Sequence, residues 1–165
     1  MGLSSGDLTE LLERLATTSG RDCDDAERID LIGLLERLKG AAAAAQARIS
    51  VAFDASQRHA QAAAGVPGDR RGRGVADQIA LARGESPVRG SRHLGLAKAL
   101  VAELPHTHAA LTKGEISEWS ATLVARETAV LEVEDRLAVD AGLASRLGRL
   151  SDLSLIHISE PTRPY

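Results

Sequence analysis

Aromatic side chains are nearly missing from this chain: Phe53, Trp119 and Tyr165 are all that its 165 residues contain. Ala, Leu, Glu and Arg dominate instead, a composition that favours helix and offers little to a sheet, which draws on aromatic and β-branched residues. An all-α fold is expected. Cysteine is limited to Cys23, which excludes an internal disulfide and a cysteine-based zinc site and reads as a solitary thiol in a polar loop. No uninterrupted apolar run reaches the ~18 residues of a membrane helix, because Arg48 and Asp54 break the Ala-rich region. The N-terminus, MGLSSGDLTELLERL, carries acid where a secretory signal carries base, and Gly6 stands where a myristoylation motif needs Ser or Thr. These absences lead us to expect a cytoplasmic protein without a membrane partner. A net charge of -3 supplies no global attraction to nucleic acid, so any such binding needs a local basic patch.

What is present has ordinary globular proportions, 44% hydrophobic and 26% charged, with length enough for one domain and a core. The composition changes near the C-terminus. Up to Asp152 the chain is rich in Ala, Leu, Arg and Gly, whereas residues 153–165, LSLIHISEPTRPY, contain no Ala and no Gly. LSLIHISEPTR closely resembles one reading frame of a transposon-end adapter used in sequencing libraries. The tail is therefore set aside as an artefact, with His157 and Tyr165 given no functional weight, and the natural chain is expected to have been cut short near Asp152.

Start and stop signals divide the remainder into helices. Asp7 followed by Glu10 predicts a capping box for a short helix on Leu8, Leu11, Leu12 and Leu15, and Asp24 with Glu27 repeats the signal. From there Ile29, Ile32, Leu35, Leu38, Ala42, Ala45, Ile49, Ala52 and Ser56 keep helical phase. One long helix over about residues 25–64 is predicted, with a kink possible at Gly33 or Gly40 and a small Ala face open to close approach by a second helix.

Residues 65–74, GVPGDRRGRG, stop that helix and predict a flexible loop. Its Arg70, Arg71 and Arg73 are open to two readings, a phosphate contact or a solvated linker. Val75 to Arg83 forms a short helix closed by Gly84, and Ser86 with Pro87 opens the next, the outline of a helix-turn-helix. At about 100° per residue from Val88, Leu94, Ala97, Leu100, Val101 and Leu104 form a core face. Arg92 and Lys98 lie outside that arc, and Arg89 and Arg92 occupy the first turns, where helix-turn-helix proteins place base-reading side chains. Many helical domains contain tight turns of this kind, so the geometry permits DNA contact without requiring it. His93 falls within the apolar arc as a candidate buried polar residue, read as a hydrogen-bonded core histidine rather than a ligand or base.

Pro105 opens a shorter helix stopped by Gly114, and Ser117 caps another running to about Leu131, with Trp119, Leu123 and Val130 on one face. Glu127 lies close to that face, and a buried carboxylate needs a partner; Arg89 or His93 is the expected one. A last amphipathic segment carries Leu137, Ala141, Ala144 and Leu147. His106 and His108, two residues apart on a helix, point about 200° from each other and cannot readily grip one ion. P-loop, dinucleotide, nucleophile-elbow and H-E-x-x-H motifs are absent from the sequence, so no catalytic residue, metal ligand or cofactor is assigned.

The stretches SPVRGSRHLGLAKAL, LPHTHAALTKGEISEW and ARET, with ERIDLIGLLERLKGAAAAAQARISVAFDASQRHAQAAAGVP before them, closely resemble the start of the domain of unknown function 222, or 13E12 repeat family. The likeness spans roughly Glu27 to Ala144. Such domains usually precede an HNH endonuclease domain, so the resemblance implies a parent that acts on DNA with a divalent metal held in that downstream domain. None of the quoted positions matches the nuclease motif, and no catalytic residue is carried over. The expected organisation is residues 1–24 as an N-terminal helix and loop, 25–152 as a truncated helical domain, one long helix followed by a bundle of shorter ones, and 153–165 as the tail. Two roles compete: DNA positioning through Arg70, Arg71, Arg73, Arg89, Arg92 and Lys98, or a scaffold or homodimerisation element built on the long Ala-rich helix.

Overall fold

The computed structural model describes residues 2–149; the tail set aside above lies outside them. Among the described residues there are seven α-helices and no strand: α1 (Ser5–Thr17), α2 (Asp25–Ala63), α3 (Val75–Arg83), α4 (Pro87–Ala102), α5 (Pro105–Thr112), α6 (Glu118–Glu127) and α7 (Val133–Leu143). No helix among them is long and apolar enough to cross a membrane. The chain divides into two compact units, Met1–Leu35 and Glu36–Tyr165.

In the first unit α1 begins earlier than predicted. Ser4, not Asp7, is the N-cap, and Asp7 closes the capping box by accepting from the Ser4 amide at 2.7 Å. Asp24 and Glu27 form the predicted box at the head of α2, exchanging bonds of 2.9 Å. No residue of α1 is buried.

The second unit holds the core. Leu100, Leu104, Leu111, Leu123 and Leu147 are fully buried and pack with Ala44, Ala110, Ile116, Ala121 and Val124. Each such leucine removed from water contributes roughly 2 kcal/mol. A smaller cluster, Val75, Ile79 and Leu94 with Phe53 against it, joins α2, α3 and α4.

The face that α2 presents to this core is not the one its strongest apolar residues predict. Gly40, Ala44, Ala47 and Asp54 are buried, whereas Ile49 is exposed. Close approach explains the choice. A Cβ on Gly40 would lie 2.8 Å from the Ile116 carbonyl oxygen and 3.3 Å from the Gly114 Cα, so only glycine allows the 114–116 turn to sit against the helix. Gly114 in turn adopts φ +66° and leaves no room for a side chain against the Arg37 backbone.

The predicted bounds of α3, and Gly84 (φ +66°) as its left-handed cap, match the structure. Further along, α6 stops at Glu127 instead of about Leu131. The Arg136 guanidinium donates to the Thr128 carbonyl at 3.1 Å and ion-pairs with Glu103, giving that carbonyl a partner other than the next helical turn. Trp119 and Val130 do not share a buried face: they are 54% and 90% exposed.

The start of α5 is capped from far along the chain. Its own N-cap residue, Leu104, provides no side-chain bond. The carboxylate of Asp140 on α7 accepts instead from the His106 amide at 2.7 Å, the Thr107 amide at 3.0 Å and the Thr107 hydroxyl at 2.5 Å. Asp140 is completely buried, and the free amides and positive end of α5 are what make a carboxylate tolerable there.

Substitutions at two glycines of α2 separate propensity from packing. A Cβ on Gly33 would meet nothing within 4 Å, so Gly33→Ala stabilises by up to about 1 kcal/mol in urea denaturation. Gly40→Ala gains the same propensity but meets backbone, and destabilises by about 1–2 kcal/mol net. Asp140→Ala leaves the α5 amides without an acceptor and costs about 2 kcal/mol.

Candidate nucleic-acid interface

The helix-turn-helix outline is realised as a tight hairpin of α3 and α4. Gly84 turns the chain, and the Glu85 amide returns to the Ala80 carbonyl at 2.8 Å. Gly90 on α4 is buried, and a Cβ there would overlap the Ala76 carbonyl and the Ala80 methyl group, so the glycine sets how closely the two helices cross. With Gly90 facing inward, Arg89 and Arg92 on the same turns of α4 are exposed.

The 65–74 segment differs from the flexible loop expected. It contains a 3-10 turn, Gly68–Arg70, and side-chain bonds hold both of its ends. The Gly72 amide donates to the Gln61 side-chain oxygen at 2.6 Å, Gln61 donates back to the Arg73 carbonyl at 3.3 Å, and Arg71 Nε donates to the Val66 carbonyl at 2.9 Å. Gly72, at φ +86°, lies directly over the Arg58 guanidinium. Arg70, Arg71 and Arg73 are thus exposed on a segment whose backbone is held in place.

Lys98 separates from the other candidates. Its ammonium lies 2.8 Å from Asp54, whose Oδ2 also accepts from Arg58 Nε at 2.9 Å. Asp54 is only 5% exposed. Burial opposes its ionisation, but the hydrogen bonds and charges of Lys98 and Arg58 outweigh that penalty and hold the carboxyl below the ordinary aspartate range. The Lys98 side chain is half-buried and paired with this carboxylate.

His93 and Glu127 are each partly buried, and they do not meet. Glu127 engages its neighbour Arg126 at 2.7 Å, correcting the expectation of Arg89 or His93. His93 lies between two other carboxylates, its Nε2 2.9 Å from Glu85 and its Nδ1 3.7 Å from Glu118. Arg83 faces the same pair at 3.7 and 3.8 Å and is also bonded to Gln46. This network joins α2, the hairpin and α6.

The sequence patterns do not single out Arg83, Glu85, Glu118 or Asp140, and they mark Asp54 only as a break in an apolar run. Asp54 and Arg58 carry one available signal, opposite charges four residues apart on a helix; the others depend on contacts distant in sequence or on turn geometry. Among the described residues no group of three or more His, Cys, Asp or Glu side chains is arranged to hold a metal ion. The divalent metal implied by the family likeness therefore has no fitting donor set in them. No family model, curated protein or solved structure matches the chain.

The Asp54 arrangement has a pH signature. Because its pKa is lowered by folding, its ion pairs stabilise the protein above the unfolded-state pKa of ~3.9, and that contribution disappears as pH falls through the lower folded value. Asp54→Asn is expected to lower the urea midpoint at pH 7, with the gap from the unsubstituted protein narrowing below about pH 4.

Proposed function

We propose that this chain is a non-catalytic helical module that contacts DNA, the leading part of a longer cytoplasmic protein resembling HNH endonucleases. The observation that carries the DNA reading is the α3–α4 hairpin, with Arg89 and Arg92 exposed on the opening turns of its second helix while Gly90 between them packs inward. That arrangement is suited to laying the start of a helix against a groove. Arg70, Arg71 and Arg73 add cationic side chains on a braced segment, suited to phosphate. Lys98, paired with Asp54, is a weaker candidate for phosphate than the arginines. Cleavage and its divalent metal belong, in this reading, to an HNH domain outside the present sequence; support for that part is the likeness of the quoted segments alone.

The test is binding of the full chain to a fluorescent DNA duplex across a salt series. Contacts from the five arginines predict a log–log salt slope of about -3 to -4.5, at roughly -0.9 per phosphate contacted. Arg89→Ala with Arg92→Ala should weaken binding at least tenfold, while the exposed positions leave the urea midpoint unchanged. A flat salt response together with a concentration-dependent dimer would overturn the DNA reading in favour of a scaffold or homodimerisation module.

A further inference from the structure

The first unit, 1–35, leaves much of its apolar surface in water. Leu8, Leu11, Leu12 and Leu15 lie along one face of α1, yet none is buried. In the opening turns of α2, Ile29 is 68% exposed and Leu34 56% exposed. Apolar surface repeated at helical spacing on two elements marks a place for a partner. The unit also contains a recess of about 270 Å³ whose walls are Cys23, Leu31 and Leu34, with Glu27 and Asp30 beside them.

Charge selects the occupant. This unit carries eight carboxylates and three arginines, a net side-chain charge of -5, in a protein whose overall net charge is only -3. A second copy presenting the same face would bring like charges together around the apolar contact, which is unfavourable, whereas a cationic partner is attracted before contact and paired after it. The recess requires an apolar side chain with a cation one helical turn away, opposite Asp30 and Glu27. An amphipathic helix provides that spacing, with residues three and four apart on one face.

We propose that the 1–35 unit is a docking surface for a basic amphipathic helix of another protein, seated with an apolar side chain between Leu31 and Leu34 and its Lys or Arg residues toward Asp30 and Glu27. This surface uses none of the arginines assigned to DNA, and the proposal stands whether or not that assignment holds.

The experiment uses the full chain and a fluorescein-labelled 18-residue peptide of leucine and lysine in helical register, followed by anisotropy at low and moderate salt. Saturable binding is expected, weakened by salt. It should fall at least tenfold for a scrambled peptide of the same composition, for Asp30→Lys, and for Leu34→Glu, a change that adds negative charge but removes the apolar wall. Both positions are exposed, and an unchanged circular dichroism melt shows that each variant remains folded. Equal binding of the scrambled peptide, or full binding by Leu34→Glu, would reduce the effect to charge alone and overturn the proposal. Sedimentation showing a dimer of the unsubstituted chain that Leu34→Glu dissolves would also overturn it, naming a second copy as the occupant.

Discussion

The approach of the 114–116 turn to Gly40 governs the arrangement of the second unit. A core with few aromatics has no large rings to fill space between helices, so tight packing has to come from backbones drawn close together. At Gly40 the separation permits no side chain at all: the Ile116 carbonyl and Gly114 Cα occupy the space where a Cβ would be. Ala44 and Ala47, one and two turns further along α2, are buried on the same side. Leu111 and Ile116, on either side of Gly114, are then drawn into the main core. The same device recurs at Gly90, where α4 crosses α3.

This also explains what can be read from the sequence and what cannot. Helix class and most helix ends are legible because their causes are local: Gly84 adopts the left-handed cap, Pro87 opens α4, Ser117 accepts from the Ser120 amide, and Asp24 pairs with Glu27. On α2 the small Ala face suited to close approach is legible, but its phase is not: the periodicity that runs through Ala42 and Ile49 leaves both exposed, while Gly40 and Ala44 are buried. The 65–74 segment misleads for a related reason. Its glycines suggest freedom, but they allow the chain to lie against Arg58 and Gln61. Among the candidate site residues, exposure of the arginines is legible, while the pairing of Lys98 with Asp54 depends on a contact between α2 and α4 that no local pattern encodes.

Charges partly shielded from water connect elements in the second unit. Asp54 joins α2 to α4 through Lys98, and Glu103 joins the end of α4 to α7 through Arg136. Arg83, Glu85, His93 and Glu118 tie the hairpin to α6. Such pairs add less net stability than apolar contacts of the same size, since desolvation offsets much of the attraction. Their value lies in direction: a carboxylate must meet its cation at one distance and angle, whereas leucines can exchange neighbours.

The remote cap on α5 has a consequence for the order in which the chain acquires its structure. Asp140 lies 33 residues beyond Thr107, so the acceptor for the first amides of α5 does not exist until α7 has docked. A short helix is marginal by itself, and this one awaits a partner that must first close a long loop. The His106 and Thr107 amides are therefore reporters of α7: their protection from hydrogen exchange measures how often that helix detaches, with no label placed on α7 itself.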